Sequence, residues 1–254
     1  MALSKNRIKY IHSLEQKKYR KAEGVFLAEG PKLINDLLGK FACPLLVATA
    51  EWLSAHPHPD SEEIIEATEE ELARASLLCA PQQVLAVFRH PQEAADFAAP
   101  TRSLCLALDG VQDPGNLGTI IRLADWFGIE HVFCSPDTVD VYNPKVIQST
   151  MGAIARVAVH YTSLSTLINR LPAETPVYGT FLNGQNIYKQ KLSKHGLIIM
   201  GNEGNGIKVD IEKLVTYKLH IPNYPSGREA SESLNVAIAT AIACAEFRRQ
   251  ASSL

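Results

Sequence analysis

The 254 residues are 46% hydrophobic and 20% charged, with a net charge of −2. That balance supports a packed core and excludes an intrinsically disordered chain. No apolar run approaches bilayer-spanning length, and the basic N-terminus is not followed by the apolar stretch of a secretory signal, so a cytoplasmic protein with no membrane partner is expected.

Taken in chain order, residues 5–40 read as two helices. The first carries Lys5, Arg7, Lys9, Lys17, Lys18, Arg20 and Lys21 against Glu15 alone, with Ile8, Ile11, Leu14 and Tyr19 as its inner positions. Such a cluster can attract phosphates, although a solvated helix face has the same composition. The second helix follows "EGPKLINDLLG", with Pro31 suited to a first turn and Gly39 to a stop. Apolar runs at 45–48 and 84–88 flank a helix near 67–75, enough for a small α/β domain over 1–92. The acidic run 60–71 lies inside it. His56 and His58, set among prolines, read as an exposed loop. The five cysteines (Cys43, Cys79, Cys105, Cys134, Cys244) lack CxxC spacing, so no metal site is expected.

The Pro- and Ala-rich interval 93–103 reads as a linker. Beyond it, strand candidates at 104–108, 131–134, 156–160, 177–181, 197–200 and 218–221 alternate with helices at 116–127, 143–151, 163–170, 208–214 and 233–249. Continuous apolar strands alternating with helices predict a mainly parallel sheet with helices on both faces, over 104–254.

Three stretches carry chemistry. In "DGVQDPGNLGTIIRLADWFG", Asn116 is read as the helix N-cap and Leu117, Ile120, Ile121, Ala124 and Phe127 as an apolar face. Gly118, Arg122 and Asp125 lie on the other side. Gly118 costs helix stability, so something approaches the backbone beside Arg122. A surface Arg122–Asp125 pair is the plainer alternative. In "LIIMGNEGNGIK" the glycines fall as GxxGxG, which fails both the dinucleotide fingerprint and the phosphate-loop pattern, where Ile207 takes the lysine position. Those failures count against an oxidoreductase or a kinase. The loop is built for close backbone approach, or simply for a tight turn. In "LHIPNYPSGREASESLNVAIATAIACAEFRRQ", Ser231 and Ser233 are placed to cap a helix that is apolar nearly all round from 236 to 245, hence buried between layers or at a subunit interface.

As a set, Asn116-x-Gly118-x-x-x-Arg122, Gly201-x-Glu203-x-x-Gly206 and Ile221-Pro222 leading to Ser233-Leu234-Asn235-Val236 resemble the SpoU family of RNA ribose 2′-O-methyltransferases, within the SPOUT superfamily. The likeness covers roughly 104–250, while "KKYRKAEGVFLAEGPKLINDLL" is similar to the ribosomal-protein-like RNA-binding domain that precedes many members. One departure is visible: the family has a methionine after Ile-Pro and a shorter path to Ser-Leu-Asn, where this chain has Asn223 and "NYPSGREASE".

The resemblance implies a deep trefoil knot in the C-terminal part of the sheet, against the general rule that chains do not thread loops. It implies a homodimer and S-adenosylmethionine as cofactor, held by Thr180, Leu182, Gly201, Asn202, Ile221 and Leu234. It further implies Arg122, Asn116, Glu203, Ser233 and Asn235 as catalytic residues, acting on structured RNA. Large-subunit ribosomal RNA is the expected substrate, with transfer RNA as an alternative. A non-catalytic RNA-binding or ribosome-assembly module of the same fold would be expected to have lost Arg122, Ser233 or Asn235, and all three are intact.

Overall fold

The computed structural model describes residues 3–91, 94–225 and 233–252. The chain packs as two compact units, one of residues 1–93 with 140–155 and one of residues 94–139 with 156–254.

In the first unit, α1 (Lys5–Ser13) is capped by Ser4, whose hydroxyl accepts from the Arg7 N–H, and α2 (Lys17–Glu23) ends on Gly24 at φ 64°. Glycine takes that left-handed geometry without a Cβ penalty and stops the helix. Residues 25–29 then form β1 (Val25–Glu29), and α3 (Pro31–Leu37) follows. The two helices expected over 5–40 are therefore three helices and a strand. Every residue of β1 is buried, and its antiparallel pairing with a later strand outweighs local helix preference. Tyr19 is exposed, contrary to its expected inner position, whereas Arg20 is 2% exposed. Next come β2 (Leu45–Ala48), α4 (Ala50–Ala55), β3 (Ile64–Glu66), α5 (Glu69–Ala75) and β4 (Val84–Arg89). The sheet order is β1-β4-β2-β3, with β2 and β3 parallel and the other pairs antiparallel. Ile11, Leu14, Leu27, Leu45, Val47, Leu72 and Val87 build its core. His56 and His58 lie in the loop after α4 as expected, with His58 exposed, and His56 stacks on Trp52 at 4.1 Å while its Nδ1 meets the Trp52 carbonyl at 2.9 Å.

The second unit begins with β5 (Leu104–Asp109), α6 (Pro114–Trp126) and β6 (His131–Cys134). The chain then supplies α7 (Pro144–Thr150) to the first unit. There Tyr142 stacks on His90 at 3.8 Å and Asp140 pairs with Arg20 at 2.5 Å. It returns as β7 (Ala158–Tyr161), α8 (Leu164–Arg170), β8 (Val177–Asn186), β9 (Gly196–Gly201), α9 (Val209–Glu212), β10 (Tyr217–His220) and α10 (Val236–Ser252). The strands lie in the order β10-β8-β9-β5-β6-β7, all parallel. On one face Cys105, Ala107, Phe133, Leu197 and Ile199 pack with Leu164 and Leu167 of α8 and Ile211 of α9. Residues alternating with these, Leu106, Leu108, Val132, Ile198 and Met200, are equally buried. α6 packs against α10 and β6, and α10 against β9, so the strands are apolar on both sides, as covered parallel strands must be.

The sheet is irregular at one place. β8 pairs with β9 only as far as Gly179, and its pairing with β10 jumps from Gly179 to Gln185. Residues 180–184 thus have no ladder partner on either neighbour at the carboxyl end of the sheet, where open α/β sheets hold ligands.

Candidate active site

A cavity of about 460 Å³ opens at that gap in the ladder, within the usual size range of small-molecule sites. Thr180, Phe181 and Leu182 come from the splayed part of β8, Met200 to Ile207 from the end of β9 and its glycine turn, and His220 with Ile221 from the end of β10. Ser233, Leu234, Val236 and Ala239 close it from the start of α10. All six residues expected to hold a cofactor (Thr180, Leu182, Gly201, Asn202, Ile221, Leu234) lie on its wall, as do Glu203 and Ser233. Phe181, Met200 and His220 also line it, without having been singled out by sequence reasoning. They sit beside the expected residues in apolar strand runs, where nothing distinguishes a wall from a core position.

The glycine loop is a tight turn. Asn202 and Gly206 exchange backbone hydrogen bonds at 2.9 and 3.0 Å, and a Cβ on Gly201 would lie 2.3 Å from the Gly206 carbonyl carbon. The Asn202 side chain accepts from Gly204 N–H and Asn205 N–H at 2.9 and 3.0 Å and donates to the Gly110 carbonyl at 2.7 Å. Behind the turn, Asp109 is 1% exposed; its Oδ2 accepts the Lys208 N–H at 2.7 Å, and Lys208 Nζ lies 3.2 Å from its Oδ1. Lys208 Nζ also binds Asp137 at 2.8 Å. Bonds from Lys208 and Ser135 hold the Asp137 carboxyl below its ordinary range. Asp109 pins the turn to the sheet, and its only sequence signal was an acid ending an apolar strand.

The three sequence stretches are joined by side-chain amides. α6 is capped by Asp113, whose carboxylate accepts from the Asn116 N–H at 2.8 Å, so Asn116 is in the first turn and is not the cap. Its side chain faces the other two stretches instead: Nδ2 donates to Glu203 Oε1 and Oδ1 accepts from Asn235 Nδ2, each at 2.9 Å. Asn235 Oδ1 in turn accepts from the Ala237 N–H at 2.9 Å, so Asn235 caps α10. Ser233 does not fill that role, and Ser231 lies outside the described residues, as does the rest of the departing segment at 226–232. Every amide in this chain is oriented donor to acceptor, ending on a carboxylate. Burial pushes Glu203 up, but bonds from Asn116, Gln112 N–H and Asp113 N–H outweigh it and hold the carboxyl below its ordinary value. It is therefore an ionised acceptor that braces the turn against the α6 N-terminus, where negative charge is favoured.

Arg122 stands six residues beyond Asn116 on α6, about 9 Å along the axis at 1.5 Å per residue. It is exposed, it is not among the cavity-lining residues, and it has no hydrogen-bond or ion-pair partner among the described residues. The Arg122–Asp125 pair does not form, because Asp125 takes a two-pronged bond from Arg156 at 2.8–3.1 Å. Gly118, expected on the polar side, is buried. No group of residues able to hold a metal ion occurs among the described residues.

Residues 103–245 match the model of the SpoU rRNA Methylase family, and residues 5–86 match that of the MRM3-like substrate binding domain. The chain is 32% identical over 243 residues to the 23S rRNA (guanosine(2553)-2′-O)-methyltransferase RlmP of Bacillus subtilis, with 93% of each chain covered. Among solved structures, a TrmH-family chain from Porphyromonas gingivalis is 42% identical with a TM-score of 0.87, covering 98% of this chain and 99% of that one. An AdoMet-bound rRNA methyltransferase from Sinorhizobium meliloti is 28% identical with a TM-score of 0.80, covering 97% and 95%.

Proposed function

The chain belongs to the SpoU rRNA methylase family, and on that premise we propose that it methylates the ribose 2′-hydroxyl of a nucleotide in large-subunit ribosomal RNA, using S-adenosylmethionine. One observation carries the reading: three distant stretches meet through Asn116, Glu203 and Asn235 beside a cavity lined by all six expected cofactor residues. The cavity suits that cofactor. It mixes apolar side chains (Leu182, Ile221, Leu234) with a glycine turn of close backbone approach, and lacks a phosphate-loop lysine.

The bound cofactor supplies a methyl group on a sulfonium, open to in-line displacement. Oxygen–carbon bond formation and carbon–sulfur bond cleavage leave a neutral thioether, and the hydroxyl proton must go elsewhere. A guanidinium is a planar cation with five donors and no acceptor, so Arg122 acts as a clamp. It holds the adjacent phosphate and stabilises the developing alkoxide, while phosphate or water takes the proton. Ser233 presents its hydroxyl to the pocket, and Asn116, Glu203 and Asn235 fix the pocket's shape. The reading includes a homodimer and a deep trefoil knot in the C-terminal part of the sheet, in a cytoplasmic protein. Half-exposed Ile238 on α10 and Trp126 at 83% exposure on α6 support the dimer. A second copy is also a route by which Arg122, off the wall of its own cavity, reaches a reacting ribose.

Incubation with labelled S-adenosylmethionine and RNA from cells lacking the protein should place label in large-subunit ribosomal RNA at a 2′-hydroxyl. Label confined to transfer RNA would reassign the substrate. Absence of cofactor binding by calorimetry would end the reading. Mixing Arg122→Ala with a variant disabled in the cavity should restore part of the activity if the site is shared between subunits.

A further inference from the structure

We propose that α2 is a platform for single-stranded RNA, on which Tyr19 stacks an unpaired base while Lys17, Lys18 and Lys21 hold the flanking phosphates. This rests on RNA being the substrate and names where the first unit grips it.

Some of the positive charge in this segment is committed and some is not. Of the basic residues in 1–21, Arg7 is paired with Glu63 and Arg20 is buried against Asp140. Lys17, Lys18 and Lys21 are exposed and have no ion-pair partner among the described residues. Lys21 follows Lys17 by four positions and Lys18 by three, so the three ammonium groups share one side of the helix. Burial of Arg20 turns that side outward. The acid at the end of the helix, Glu23, is engaged by the Tyr10 hydroxyl. Elsewhere in the unit Glu62 pairs with Arg89 and Glu71 closes the α5 capping box, while Glu15, two positions ahead of Lys17, is exposed.

An aromatic ring sits in this field. Tyr19 is 40% exposed, and Lys18 Nζ lies 4.7 Å from its ring centre. A large exposed ring with the Lys18 ammonium group beside it suits a nucleobase, since every base has a face to stack and a phosphate close by. A duplex withholds its base faces, so Tyr19 discriminates between strand forms while the lysines do not.

The test measures binding of the full-length protein to an oligouridine single strand and to a blunt RNA duplex across a salt series. Tyr19→Leu should weaken the single strand about tenfold and leave the duplex unchanged, with Tyr19→Phe restoring wild-type binding. Replacing the three lysines by glutamine should weaken both ligands and reduce the salt slope on the single strand by about 2, at ~0.7 per phosphate contact. An unchanged slope, or equal loss on both ligands in Tyr19→Leu, would overturn the proposal. So would binding of wild type to anionic vesicles in place of RNA. Cofactor binding and methyl transfer are measured on the same samples. Wild-type methylation together with unaffected variants condemns the platform alone, whereas no wild-type methylation condemns the enzymatic reading.

Discussion

Arg20 on α2 and Arg122 on α6 are each a lone arginine within a helical pattern, yet their surroundings are opposite. Arg20 is 2% exposed and places its guanidinium on the Leu14 carbonyl, the Glu15 carbonyl and the Asp140 carboxylate at 2.5–3.2 Å. Arg122 is exposed and its donors are unspent among the described residues. A guanidinium with its donors filled is a strut, because removing it strands buried acceptors. One with its donors unfilled is available to a ligand that brings its own oxygens.

The sharpest way to break that contrast is Arg20→Met. It leaves Asp140 Oδ2 and two carbonyls without their donor, so we expect a loss of about 3–5 kcal/mol in unfolding free energy by denaturant titration. An unchanged midpoint would remove the strut. Arg122→Ala should leave stability within about 0.5 kcal/mol and lower single-turnover methyl transfer by about a hundred- to a thousandfold. Lysine at 122 should rescue it only in part, since an ammonium lacks the fork. A large stability loss with activity proportional to folded protein would make the two arginines alike. Asp109→Ala extends the comparison to a buried acid behind the glycine turn. It strands the Lys208 N–H, with an expected cost of about 1–3 kcal/mol and weaker cofactor binding by calorimetry.

The smallest effect concerns Glu203. Its carboxyl lies below the ordinary value because burial is outweighed by bonds from Asn116 and from backbone N–H groups. Its contribution is therefore full above the unfolded value and lost as pH falls through the folded one. Glu203→Gln should differ from wild type by less than about 1 kcal/mol at neutral pH, given its exposure. The gap should close on acidification below the ordinary carboxylate range. A gap that widened would reverse the sign.

The six-stranded sheet was legible because covered parallel strands are continuous apolar runs bounded by turn residues. The first unit was harder. Residues 25–28 are as compatible with a helix as with a strand until β4 pairs with them, although Gly24 at φ 64° and Gly30 at φ 100° bracketed the segment. Tyr19 and Arg20 show where periodicity fails, since the aromatic was expected inside and the cation outside. The site's three stretches were readable as motifs, but their connection was not. The role of Asn116 depends on Asp113 capping the helix and on partners 87 and 119 positions away.

Residues 140–155 leave one unit to complete the other, so the polypeptide crosses between them at three places: near 93, at 139 and at 155. A recombination event or an engineered graft with a single breakpoint would strip Arg20 of its carboxylate and His90 of its stacking tyrosine. The first unit is therefore not a detachable module. Any ancestor that acquired it, or any laboratory exchange of it, must carry the short internal excursion along.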